Sequence, residues 1–188
     1  MGQERRLLLQ LEAAVRADDK QQLRRLSEGL GSAVFDNGAF TNELLNQLTR
    51  IIQSEAYAKM SDGLLLMRVF EYNLNLLTDS QRDKLGSAIV AYVPCARDAI
   101  AAFLAVEIIA EIWKDRRSIE AIILVKERAR TEETFALVTH GFDWLAKRTS
   151  DTGVRVECLD QLDKLSRHPS SAVRVEALAA LTRLRRVG

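Results

Sequence analysis

The chain has 188 residues, 47% of them apolar and 28% charged, and its 27 basic and 26 acidic side chains leave a formal net charge of +1. That composition suits a folded chain with a sizeable core and argues against disorder. The near-zero balance excludes a global field that would draw it to nucleic acid or a membrane. Cys95 and Cys158 stand apart with no CxxC or Cys/His cluster, so both read as reduced, buried packing residues and not as a disulfide. The amino terminus leads directly into an amphipathic helix, so no signal peptide is read. No run reaches the roughly 18 uncharged apolar residues of a membrane span, because Ala99 to Trp113 is broken by Glu107 and Glu111. A cytoplasmic protein is the expectation.

In chain order, the apolar spacing predicts a first helix over 3–17 with Leu8, Leu11 and Val15 on one side. Asp18-Asp19 caps a short second helix carrying Leu23, Leu26 and Leu30, with Gly29 and Gly31 as its stop. Residues 31–40 read as a loop around the turn signal Asp36-Asn37-Gly38, with Phe35 and Phe40 tucked onto the core, and a short hairpin is the second option. Thr41 then caps a helix with Leu44, Leu45, Leu48, Ile51 and Ile52 inward. Ser61-Asp62 caps the next, and Asp79-Ser80 caps another that Pro94 stops. A strongly apolar helix follows over 96–114, buried on several sides. Helices opening near Ser118, Thr131, Ser150-Asp151 and Ser170-Ser171 complete the chain. Starts fall roughly every nineteen residues, connections are short, and no strand alternation of useful length appears. Such lengths favour antiparallel neighbours.

The last two helices echo each other. Val154-Arg-Val-Glu-Cys-Leu-Asp-Gln-Leu-Asp-Lys-Leu165 recurs as Val173-Arg-Val-Glu-Ala-Leu-Ala-Ala-Leu-Thr-Arg-Leu184. Self-similarity at a fixed spacing marks repeat architectures. The apolar face of each copy, Val154/Cys158/Leu162/Leu165 and Val173/Ala177/Leu181/Leu184, must be covered by neighbours. The stretch from Pro169 to Leu181 resembles the second-helix signature of HEAT-type repeats, in which a short polar turn is followed by Val-Arg, then a small residue and Leu at helical spacing. Val173, Arg174, Ala177 and Leu181 match that signature, and Val154, Arg155, Cys158 and Leu162 match it more loosely. Two departures stand out: His168 replaces the turn Asp before Pro169, and the nineteen-residue spacing puts the copies on consecutive helices. The resemblance implies an all-α fold, an α-α superhelix of about 9–10 antiparallel helices, and a protein-binding function. On this reading 1–188 is one helical-repeat domain, with 1–40 a less regular amino-terminal cap and 41–188 stacked helix pairs.

Candidate chemistry is sparse. His140 and His168 are the only histidines. His140 with Asp143 makes at most half a metal site, and metal sites need three or four converging ligands, so no metal or cofactor is expected. The di-iron hydroxylases of the HEAT family use His-Glu pairs, which this chain lacks. Glu107, Glu111 and Asp115 lie in one line along the apolar helix. They read as a narrow solvated strip or as paired with Lys126, Arg128 or Arg130, or as an acidic strip that receives a basic peptide. Trp113 reads as core or groove edge. Gly141, costing roughly 1 kcal/mol against Ala inside a helix, reads as a close-packing position. The basic end includes Arg174, Arg183 and Arg186, which could contact phosphate non-specifically but do not share one helix face. No nucleophilic serine motif, phosphate loop or dinucleotide fingerprint is present.

The functional expectation is a non-enzymatic interaction or adaptor module offering a concave helical surface to a protein partner. A nucleic-acid binder shaped like the HEAT-like DNA glycosylases is the alternative, and a small lyase-type enzyme is a third reading.

Overall fold

The computed structural model describes residues 2–187, with side chains from Arg6 to Arg186. The described residues form eleven α-helices: α1 (Gly2–Arg16), α2 (Lys20–Asn37), α3 (Asn42–Ile52), α4 (Glu55–Ala58), α5 (Leu64–Glu71), α6 (Asp79–Tyr92), α7 (Ala99–Trp113), α8 (Arg116–Arg128), α9 (Glu132–Arg148), α10 (Thr152–Leu165) and α11 (Ser171–Val187). No strand occurs among the described residues, so the chain is all-α. Two short 3-10 turns, Leu74–Leu76 and Val93–Cys95, follow α5 and α6. None of these helices is long and apolar enough to cross a membrane.

Local chemistry explains most helix boundaries. The side chains of Asp19, Thr41, Thr78, Asp115, Thr131 and Asp151 each accept a backbone N–H in the first turn of the helix that follows. These bonds satisfy donors that the helix itself leaves open. Asp98 does the same for α7 through Ile100 and Ala101, while its second oxygen accepts from the Gly63 N–H at 2.8 Å. Thr78 forms a capping box with Gln81, so α6 is opened one residue earlier than Asp79-Ser80 would place it. The Ser61-Asp62 cap expected for α5 is not used: Gly63 precedes that helix without a side-chain cap bond. Ser61 turns instead to Asp18.

The largest difference from the sequence reading lies in α2. It does not stop at Gly29 or Gly31 but continues to Asn37, and ends where Gly38 enters the left-handed region (φ 64°) and donates its N–H to Phe35 O. Only one glycine was needed at the stop, and it is the one inside the turn signal. Residues 31–40 are therefore mostly helix, and the two aromatics part company. Phe40 is buried and stacks on Phe70 with centroids 5.7 Å apart, whereas Phe35 is 72% exposed. Cys95 is also exposed, against expectation, because it falls in the 3-10 turn after α6; Cys158 is buried as expected.

Contacts divide the chain into two compact units, 1–105 and 106–188, with the boundary inside α7. In the first unit α1 packs on α2, α3 and α4, α2 packs on α5, and α3 packs on α6. Leu11 of α1 and Leu23 of α2 are thus built into a core with Leu45, Leu48, Phe70 and Leu85, all fully buried. In the second unit α9 packs against α8, α10 and α11, and α10 and α11 pack on each other. The echoed positions Val154/Val173, Cys158/Ala177, Leu162/Leu181 and Leu165/Leu184 are all buried. Val156 and Val175, the second Val of each copy, are both exposed. Equal spacing has produced equal burial, as a shared helical face requires.

Candidate functional site

In the second unit, α7 and α9 are joined by a polar ladder with a period of four residues. Glu107 and Glu111 occupy one row of α7; His140, Trp144 and Arg148 occupy the facing row of α9. Glu107 Oε1 meets His140 Nε2 at 3.0 Å. Glu111 Oε1 accepts from Trp144 Nε1 at 3.1 Å and pairs with Arg148 Nε at 3.2 Å, and Lys114 Nζ reaches Glu111 Oε2 at 2.7 Å. Arg148 also lies over the Trp144 ring, 4.6 Å from its centroid. The expected pairing of the two glutamates with Lys126, Arg128 or Arg130 is not formed. Lys126 donates to Gln161 Oε1 at 2.9 Å, its pKa held below the ordinary value by burial and by nearby Lys164. Arg130 donates to the Glu127 and Ala129 carbonyls.

Asp115 does not continue the acidic row. α7 ends at Trp113, Lys114 turns left-handed (φ 58°), and the chain changes direction before Asp115. There Asp115 caps α8 and holds Arg117 side on at 2.7 Å, which lowers its carboxyl pKa. Trp113, half-buried at the same turn, has the Arg117 guanidinium 5.7 Å from its ring centroid.

The basic end is partly occupied by internal bonds. Arg174 donates to His168 O at 2.8 Å and Pro169 O at 2.6 Å, clamping the turn before α11. Arg183 reaches Asp143 on α9 at 3.0 Å. Arg186 is exposed. His140 and Asp143 do not converge on a metal: the first faces Glu107, the second faces Lys147 and Arg183. Among the described residues no group of three or more His, Cys, Asp or Glu side chains is arranged to hold a metal ion. The seven residues singled out from sequence are therefore spread over the α7–α9 ladder, the α7–α8 turn and α11, and form no single site.

A different site emerges in the first unit, between α2 and α5. It is a groove of about 800 Å³. Along α2 it is lined by two rows at four-residue spacing, Ser27/Gly31/Phe35 and Arg24/Glu28/Ser32, with Asp36 beyond them; α5 and its flanks add Asp62, Leu64, Leu65, Arg68, Val69, Tyr72 and Asn73. Ser61 binds Asp18 just ahead of α2, so the two helices start at the same end of the groove. Tyr72 is 65% exposed although it belongs to an apolar wall, and Arg68 donates to its hydroxyl at 3.0 Å.

The floor is unusual. Ser27 and Asn73 are only 3% and 2% exposed, yet Ser27 Oγ and Asn73 Oδ1 have no hydrogen-bond partner among the described residues. Asn73 Nδ2 is used, donating to Val69 O at 2.8 Å. Buried polar atoms are normally satisfied, because leaving one bare costs about 1–3 kcal/mol. Gly31 keeps the centre of the groove open: a Cβ there would meet nothing within 4 Å.

None of these residues was singled out for binding from sequence. The signal was present in the i, i+4 rows of α2, but it could be read only once the helix was known to run through both glycines.

No protein-family model matches the chain. Comparison with curated proteins and with solved structures likewise finds no match.

Proposed function

We propose that this chain is a non-enzymatic protein-interaction module of HEAT-type helical-repeat build, and that it engages its partner through the α2/α5 groove. The observation that carries the reading is the groove itself: two large aromatics, Phe35 and Tyr72, stand mostly in solvent beside an apolar wall and two unsatisfied buried polar atoms. Aromatic anchors around a concavity with a few fixed polar groups are what recognition surfaces use. The HEAT-type build draws its support from the echoed Val-Arg-x-x-small-x-x-x-Leu pattern, whose apolar positions are buried alike in α10 and α11. The acidic strip is not the favoured surface, since Glu107 and Glu111 bond to His140, Trp144 and Arg148. Phosphate binding by the basic end is disfavoured by the internal bonds of Arg174 and Arg183.

The test is a photo-crosslinking amino acid placed at Tyr72 and, as a control, at exposed Val156, in cells of the native host. Discrete protein adducts from position 72, lost on Gly31→Leu or Phe35→Asp and not formed from position 156, support the reading. No adducts from position 72, or adducts indifferent to both substitutions, would sink it.

A further inference from the structure

We infer that the groove between α2 and α5 receives a short extended segment of the partner protein, one that places an apolar side chain beside a Lys or Arg. This rests on the interaction-module reading above and names the form its partner takes.

The unsatisfied floor decides what kind of chain fits. Asn73 Oδ1 can only accept, and Ser27 Oγ can donate or accept. Both atoms lie sealed beneath the lining side chains, so an occupant satisfies them only where those side chains give way and a donor is brought to the floor. A helical partner has its backbone N–H groups committed beyond its first turn, and would present side chains only. An extended chain exposes backbone donors and acceptors along its length, with side chains alternating to the two walls. Length agrees: from Arg24 to Asp36 is twelve residues of helix, about 18 Å, which an extended segment covers with about five residues.

The walls decide what the segment carries. Phe35 and Tyr72 offer exposed ring faces, able to hold an apolar side chain or a cation. Three carboxylates, Glu28, Asp36 and Asp62, line the groove against two guanidiniums, Arg24 and Arg68, so a basic residue finds more partners than an acidic one. Both features point to the same segment, and neither depends on the polar floor.

Display of random linear twelve-residue peptides against the full chain tests this. A labelled synthetic peptide bearing the enriched consensus is then titrated by fluorescence anisotropy. The expected consensus couples an apolar or aromatic residue to Lys or Arg. N-methylation of one particular backbone amide should weaken binding at least tenfold, Ser27→Ala should weaken it several-fold, and Gly31→Leu should abolish it. Phe35→Ala should also weaken it several-fold; Ser27→Ala removes a hydroxyl with no hydrogen-bond partner among the described residues and Phe35→Ala trims an exposed ring, so neither loss could be blamed on unfolding.

Failure to enrich any peptide overturns the inference, as does a bound peptide that turns helical and tolerates N-methylation at every amide, or one indifferent to Gly31→Leu. Thermal stabilisation by small organic compounds with no peptide enriched would also overturn it. Crosslinks from position 72 without any linear-peptide binder would leave the interaction module standing and remove only the extended segment; absence of both would remove the two together.

Discussion

Arg183 and Asp143 lie forty residues apart in the chain and 3.0 Å apart in space. Asp143 is buried on α9, and its Oδ2 takes both Arg183 from α11 and Lys147 from the next turn at 2.7 Å. Both cations are substantially exposed, so each pair alone is screened and worth about 1 kcal/mol or less. Their joint removal is different, because it leaves a buried carboxylate alone; breaking such pairing costs about 3–5 kcal/mol. The expected outcome is that Arg183→Ala and Lys147→Ala each cost about 1 kcal/mol or less in urea unfolding, while the double variant costs more than their sum. Additive losses would mean that Asp143 finds another partner.

Gly141 faces Val106. A Cβ built on it would come within 2.5 Å of Val106 Cγ1 and 3.3 Å of Ile122 Cδ1. Alanine would gain roughly 1 kcal/mol of helix propensity, but overpacking against a stiff β-branched neighbour costs about 1–3 kcal/mol. Gly141→Ala should therefore lower the melting temperature, and Val106→Ala in the same chain should recover part of the loss. A gain in stability from Gly141→Ala alone would show that α7 and α9 can part more easily than their contact suggests.

Lys114 holds a left-handed backbone at the end of α7 (φ 58°). For a residue with a Cβ that conformation costs roughly 1–2 kcal/mol, and glycine adopts it freely. Lys114→Gly loses a half-exposed pair with Glu111, a small term beside the relief of strain. Chemical denaturation should show it to be stabilised by about 0.5–1 kcal/mol, whereas Lys114→Val should be destabilised.

Burial, and then the charge of Glu157, pushes the Cys158 thiol up from 9.0 to about 12. The folded state thus favours the neutral thiol. Its contribution to stability is intact below the unfolded value near 9.0 and is lost as pH rises toward 12. Tyr57 and Tyr92, both raised chiefly by burial, act in the same direction at higher pH. Unfolding free energy should fall between pH 9 and 11, less steeply in Cys158→Ala. At pH 8 a maleimide should label exposed Cys95 in the native protein and reach Cys158 only after denaturation. Equal labelling of both thiols would contradict the burial of α10.

Much of the helical plan was readable in the residues themselves. Thr41, Thr131 and Asp151 open helices where side-chain oxygens meet bare N–H groups, and the echo through α10 and α11 buries matching positions. These features depend on neighbours within a turn or two, so spacing alone carries them. Gly29, Gly31 and Gly38 show where that ended. Any of the three could stop α2 by local rules, and the choice fell to the turn in which Gly38 alone takes a positive φ while its N–H returns to Phe35.

The partners of charged side chains were decided in three dimensions. One line of sequence placed Glu107, Glu111 and Asp115 together, but the left-handed Lys114 took Asp115 out of the row, and the packing of α7 on α9 supplied His140, Trp144 and Arg148 in place of the cations of α8. The α2/α5 groove was set in the same way: Ser27 and Asn73 are 46 positions apart in the chain, and nothing local to either says that both will be buried without a partner. Periodicity determines which face of a helix is apolar. Which other helix covers that face, and which polar atoms are left bare beneath it, depends on contacts between distant segments that no local spacing encodes.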